Sequence, residues 1–192
     1  YTLLKDFNIG YDPTHIASTI DAQSDFKDFW EKAKSDLKAV SPEYKLTLID
    51  SLSTGNKNVY LVEMKSVDNG DGKPVTIRGY YAEPKAKGTY PAIIMENGYD
   101  SGYEPYIPST DGDEGWCILT MSNRGQLVNN RAPFKDENSF YGDWFQYNFG
   151  NKDTYYYRGA YMDVVRAIDF MESRDKVQKQ NIYMTGASQG GA

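Results

Sequence analysis

The segment Gly186-Ala187-Ser188-Gln189-Gly190 places a serine between glycines two residues to either side, which is the spacing of a nucleophile elbow. For acyl transfer the serine must stand on a tight turn with strained backbone angles, exposed above the end of a sheet. Side chains two positions away would collide with the neighbouring strand and helix, so glycine is needed there. Three fixed positions in five recur by chance, and the motif carries weight only in context. Here an apolar stretch at 181–185 runs straight into it, as a strand should, and Gly191 allows further close approach of the helix that follows. Without that context the segment would read as a glycine-rich turn with an idle serine.

An attacked carbonyl develops negative charge on oxygen, and two backbone N–H groups are expected to receive it. One belongs to the residue after the nucleophile, Gln189. The other comes from the loop after an early buried strand. Residues 91–95 fit that strand, and the loop begins Glu96-Asn97-Gly98-Tyr99. Gly98 would let the backbone bend so that the N–H of Tyr99 faces the oxyanion. Each such donor is worth about 3–4 kcal/mol in the transition state.

The elements that must position these groups follow from hydrophobic period. Ser24 opens an amphipathic helix with Phe26, Phe29, Trp30, Ala33 and Leu37 on one stripe, and Ser41-Pro42 ends it. Strands are expected at 44–49, 59–64 and 75–82. Between the last two, Asp68-Asn69-Gly70-Asp71-Gly72 is a turn signal; it fails the EF-hand calcium pattern, which leaves a plain hairpin turn as the better reading than a metal loop. Residues 91–95 and 116–121 are short apolar runs that suit strands buried on both faces. A helix over 155–172 carries Tyr161, Val164, Val165, Ile168 and Met171 on one face. This order, an antiparallel meander and then buried strands with helical crossovers, predicts an α/β sheet, parallel in its core and antiparallel at one edge. Residues 1–22 lack periodicity and read as a lead-in or linker before a domain over 23–192. The long connections 96–115 and 123–153 both leave the carboxyl ends of strands, where open α/β sheets bind ligands.

Composition limits the alternatives. The chain has 192 residues, 40% of them apolar, and a net charge of −6, which speaks against a nucleic-acid surface. No stretch approaches the ~20 apolar residues of a membrane span. One cysteine, Cys117, excludes an internal disulfide, leaves the redox compartment open, and reads as a small core residue. Tyrosine is frequent, with 17 copies. Tyr103, Tyr106, Tyr141 and Tyr147 lie among turn residues, where their rings suit carbohydrate or cover the ends of a sheet. The start at Tyr1 without Met reads as a processed or trimmed chain. Secretion or a periplasmic location is expected, with a cytoplasmic one as the alternative.

Taken together, several of these segments resemble the acetyl xylan esterase and cephalosporin C deacetylase family of carbohydrate esterases. Asp25-Phe26-x-x-Phe29-Trp30 is similar to its N-terminal helix, and Pro91-Ala92-Ile93-Ile94 with Gly98-Tyr99 to its oxyanion strand and loop. Arg124-Gly125-Gln126 matches its Arg-Gly-Gln motif. Tyr156-Tyr157-Arg158 with Asp163-x-x-Arg166-Ala167 resembles its crossover helix, and Ser188-Gln189-Gly190-Gly191 its elbow. The resemblance implies the N-terminal part of an α/β-hydrolase fold. It implies removal of acetyl groups from short xylan fragments or related acetate esters, without metal or cofactor. Ser188 would be the nucleophile, Tyr99 and Gln189 the oxyanion donors, and Arg124 and Gln126 would brace the site. Members tend to form ring-like homo-oligomers.

Two departures stand out. Leu127 follows the Arg-Gly-Gln motif where the family usually has glycine. In this fold an Asp or Glu and then a His follow the serine, yet the sequence ends four residues after Ser188. Its one histidine, His15, lies in the lead-in and reads as a solvated loop residue. The acid and base are therefore expected from a C-terminal half or a second chain, and these 192 residues alone are expected to be inactive. A prolyl-oligopeptidase-like serine peptidase shares the elbow. A non-catalytic carbohydrate-binding or interaction protein is the reading from another class.

Overall fold

The computed structural model describes residues 12–15, 22–99, 115–134 and 144–191. Tyr103, Tyr106 and Tyr141, and most of the two long connections, lie outside these. Six strands form one sheet: β1 (Lys45–Leu48), β2 (Lys57–Ser66), β3 (Val75–Pro84), β4 (Tyr90–Glu96), β5 (Cys117–Ser122) and β6 (Val177–Gly186). Their order is β1-β2-β3-β5-β4-β6. The first three strands and the β3–β5 pair are antiparallel. β5, β4 and β6 run parallel, with Ile93 beside both Ile118 and Tyr183. This is the expected sheet, and it is that of an α/β-hydrolase.

The β2–β3 hairpin turns as its composition demands. Asp68 Oδ1 accepts from the Gly70 N–H at 2.5 Å and Asp71 Oδ1 from the Lys73 N–H at 3.0 Å, while Gly70 and Gly72 take positive φ. Each aspartate thereby replaces a backbone acceptor within the turn.

Two helices pack around the sheet. α1 (Phe26–Ala39) begins after Asp25, one residue later than Ser24 suggested, and has no side-chain cap bond. It buries Ala33 and Leu37 and lays Trp30 edge-on to Tyr161 at 5.4 Å. Its carboxyl end is satisfied by the other helix: Arg166 donates to the carbonyls of Leu37 and Val40 at 2.7 and 2.9 Å. α2 (Tyr156–Glu172) crosses the face on which Ala92, Ile94 and Leu119 join Ala167 and Phe170 in the main core. Phe170 meets Tyr44 and Tyr81 edge-on, each at 5.3 Å.

The face of α2 differs from expectation. Of the apolar stripe Tyr161, Val164, Val165, Ile168 and Met171, only Met171 is buried. The buried face instead includes Arg158, Asp163 and Arg166 beside Ala160, Ala167 and Phe170. Polar groups enter a core when their partners enter with them, and a hydrophobic stripe cannot register that. β5 is buried at all six positions, as expected, whereas β4 alternates, with Ile93 and Met95 half-buried on the face opposite α2. Cys117 is a buried free thiol whose pKa burial pushes up to about 11, so it is inert core.

Candidate functional site

β6 delivers the chain to the elbow at the carboxyl end of the parallel strands, where Glu96 of β4 is paired with Gly186. Residues 188–191 then make a single 3-10 turn. Ser188 has φ +56°, a left-handed conformation that costs a non-glycine residue about 1–3 kcal/mol. The two glycines are demanded by contact. A Cβ on Gly186 would lie 1.9 Å from the Gly190 carbonyl oxygen, and one on Gly190 2.6 Å from that of Glu96. Gly191 is different: a Cβ there would meet its nearest atom at 3.5 Å, an ordinary contact, so close approach does not require glycine at 191.

The loop after β4 lies directly against the elbow. A Cβ on Gly98 would stand 3.2 Å from the Ala187 oxygen and 3.5 Å from Ser188 Cβ. Tyr99 comes next, 43% exposed, with its ring 6.1 Å from that of Phe145. Asn97 Nδ2 donates to the Met121 carbonyl at 2.6 Å and ties this loop to β5.

The turn after β5 holds Arg124 and Gln126, both buried. Arg124 forks onto Asp163 of α2, with Nη2 2.6 Å from Oδ1 and Nε 2.9 Å from Oδ2. The Arg124 backbone N–H adds a third bond to Asp163 at 3.1 Å. The remaining guanidinium donors reach Asn69 Oδ1 at 2.7 Å, the Val67 carbonyl at 3.1 Å and Ser66 Oγ at 3.3 Å. The planar fork thus joins α2, the hairpin turn and the Arg-Gly-Gln turn.

Gln126 points the other way. Its Nε2 donates to the Tyr156 hydroxyl at 2.8 Å and to Gln189 Oε1 at 3.3 Å. Tyr156 donates to the Arg124 carbonyl at 3.1 Å, and Gln189 Nε2 to the Tyr157 hydroxyl at 2.8 Å. Burial pushes the Tyr156 phenol well above its usual range, so it stays a neutral donor. Leu127 has φ +46° and is buried; the backbone at the position where glycine was expected is one that glycine adopts freely.

The structure therefore brings Ser188, Gln189, Gln126 and the Gly98–Tyr99 loop together, while the Arg124 side chain bonds Asp163 and the β2–β3 hairpin. His15 is elsewhere: its Nδ1 pairs with Asp12 Oδ1 at 2.5 Å in an exposed turn. Sequence reasoning did not single out Tyr157, Asn123 or Glu96. A cavity of about 70 Å³ beneath the elbow is lined by these three with Gln126, Gln189 and Met184. Glu96 is buried, and burial pushes its carboxyl up to about 7 against the opposing hydrogen bond from Asn123, with the Asp163 charge adding to the rise. No periodic pattern marks a buried carboxyl at a strand end; only its place two residues before Gly98 could have drawn notice. Among the described residues no group of three or more His, Cys, Asp or Glu side chains could hold a metal ion, and no helix is long and apolar enough to cross a membrane.

Comparison with known proteins gives a consistent picture. The sequence model of the acetyl xylan esterase (AXE1) family matches residues 14–192. The acetyl esterase Axe7A of Xylanibacter ruminicola is 24% identical over 194 residues, covering 96% of this chain and 42% of that protein. Among solved structures, an acetyl xylan esterase from Paenibacillus sp. R4 superposes with a TM-score of 0.68 at 26% identity, covering 91% of this chain and 55% of that one. Acetyl xylan esterase 1 from Thermoanaerobacterium sp. superposes with a TM-score of 0.70 at 21% identity, covering 90% and 53%. The chain thus spans about half the length of the relatives it matches.

Proposed function

The chain belongs to the acetyl xylan esterase family, and from that premise we propose that Ser188 is the nucleophile of a serine esterase that removes acetyl groups from acetylated xylo-oligosaccharides or small acetate esters. Ser188 Oγ attacks the acetyl carbonyl, the deacylated sugar hydroxyl leaves, and water then releases acetate from the acyl-enzyme. The backbone N–H groups of Gln189 and Tyr99 receive the developing oxyanion. Gln126 and Tyr157 hold the Gln189 side chain, and Arg124 anchors the turn that carries Gln126. The observation that carries this reading is the left-handed Ser188 packed against the Gly98 loop, because that strain serves no packing purpose in an idle turn. An extracellular or periplasmic location suits a polymer-derived substrate.

A serine hydroxyl needs a base. We place the base and its acidic partner outside these 192 residues, and expect the chain alone to be inactive. The test uses the longest natural form of the protein. A fluorophosphonate adduct mapped to Ser188, together with acetate release, is the expected result. Ser188→Ala should lower kcat by roughly 10⁴–10⁶-fold. Peptide cleavage in place of acetate release would favour the peptidase reading. Binding of xylo-oligosaccharide with neither adduct nor turnover would favour the non-catalytic one.

A further inference from the structure

Glu96 ends β4 where three pieces of the candidate site meet. Its backbone carbonyl abuts the elbow, since a Cβ on Gly190 would stand 2.6 Å from it. The residues after it, Asn97 and Gly98, run past Ser188. Its side chain, in a residue only 9% exposed, reaches the Arg-Gly-Gln turn: Oε2 accepts from Asn123 Nδ2 at 3.1 Å, and the Asn123 carbonyl accepts from the Gln126 N–H at 3.0 Å. Among the described residues Oε1 is buried with no hydrogen-bond partner, and the carboxyl lines the small cavity with Gln126, Gln189 and Tyr157.

No described neighbour supplies a countercharge. From α2 come Tyr157 and Tyr161 at the cavity wall, and the like charge of Asp163. In the turn after β5, Arg124 is committed to Asp163, Asn69, Ser66 and Val67. From β6 and the elbow come Met184, Gln189 and Gly190, none of them titratable. A carboxylate in this position has one donor and a repulsive neighbour. A carboxylic acid has the same donor and an O–H to offer the cavity.

Resting on the esterase reading above, we infer that Glu96 is a positioning residue that works as the neutral acid, holding the oxyanion loop, the Arg-Gly-Gln turn and the elbow in register, and that its ionisation slows turnover. Two effects act in the same direction. A buried negative charge next to the elbow opposes the oxyanion that forms at Ser188. It also draws amide donors of the cavity, Gln189 among them, away from their present partners. Because burial pushes the group up to about 7, the change falls in the neutral range.

The test is the pH profile of kcat for acetate release by the longest natural form, beside its Glu96→Gln variant. The parent should lose roughly tenfold in kcat on the alkaline side, centred near pH 7, as expected for a unit charge beside the oxyanion in a partly buried site. Glu96→Gln should flatten that side and leave the acid side in place. A parent without an alkaline fall, or a fall that persists in Glu96→Gln, overturns the inference; a merely structural role would lower both sides together. Should the variant not fold, the carboxyl carbon of Glu96 in the parent is titrated by NMR. A midpoint near 7 supports the inference, and a midpoint in the ordinary glutamate range overturns it. Absence of acetate release at every pH would sink the esterase reading instead, and the NMR titration still decides the state of Glu96.

Discussion

Two buried carboxyl groups stand behind this site, and their surroundings are opposite. Asp163, fully buried in α2, receives three bonds from Arg124, two from the guanidinium and one from the backbone. The guanidinium also donates to Asn69, Ser66 and Val67 of the β2–β3 hairpin segment. Glu96, nearly as buried, has among the described residues one amide donor, an oxygen without a partner and a cavity beside it. A closed network of this kind rigidifies a scaffold, whereas a half-satisfied group is poised to change state. The difference tracks position. Asp163 sits where α2, the hairpin turn and the Arg-Gly-Gln turn meet, and Glu96 sits next to the serine.

The comparison can be broken most forcefully at Asp163. Asp163→Ala leaves the Arg124 guanidinium buried without its ion-pair partner and should cost about 3–5 kcal/mol in urea unfolding. A loss under about 1 kcal/mol would mean that the Arg124–Asp163 cluster does not hold these elements together. The Glu96 side predicts the opposite sign. Below its unfolded pKa of about 4.5 the group is protonated in both states; between there and about 7 the folded protein keeps a proton that the unfolded chain has released. Stability should therefore fall by roughly 3 kcal/mol as pH rises through that window and level off above it. Glu96→Gln should remove that fall, making the variant the more stable protein at about pH 8, as measured by paired denaturant curves. The smallest effect belongs to the elbow. Ser188→Gly relieves a left-handed non-glycine residue and should raise stability by about 1 kcal/mol, while abolishing the proposed activity. An unchanged melting temperature would mean the turn carries no such strain.

Much of the scaffold was legible because it rests on local rules. Apolar residues in short stretches located β2 and β3, Asp and Gly located their turn, and short apolar runs located β4 and β5. β6 begins at Val177, four residues before its apolar stretch, because Val177 packs into the core and the polar residues 178–180 continue the strand, with a register shift between the pairings of Tyr90 and Ala92. The buried face of α2 was misjudged for a related reason. Arg158, Asp163 and Arg166 look like a solvated face until Asp36, Arg124 and the carboxyl end of α1 are brought to them. The glycines at 186 and 190 were legible as a pattern, and Gly191 was over-read, since its role depended on a distance.

The sequence by itself determined the element order, the mixed sheet, the serine at its elbow and the glycine loop beside it, because period, turn chemistry and steric exclusion act over a few residues. Only the tertiary structure decided that Gln126 bonds Gln189, that Arg124 closes on Asp163 from 39 positions away, and that Glu96 keeps a buried oxygen without a donor among the described residues. Those outcomes depend on which polar groups share a desolvated space, and that is settled by packing between elements distant in the chain.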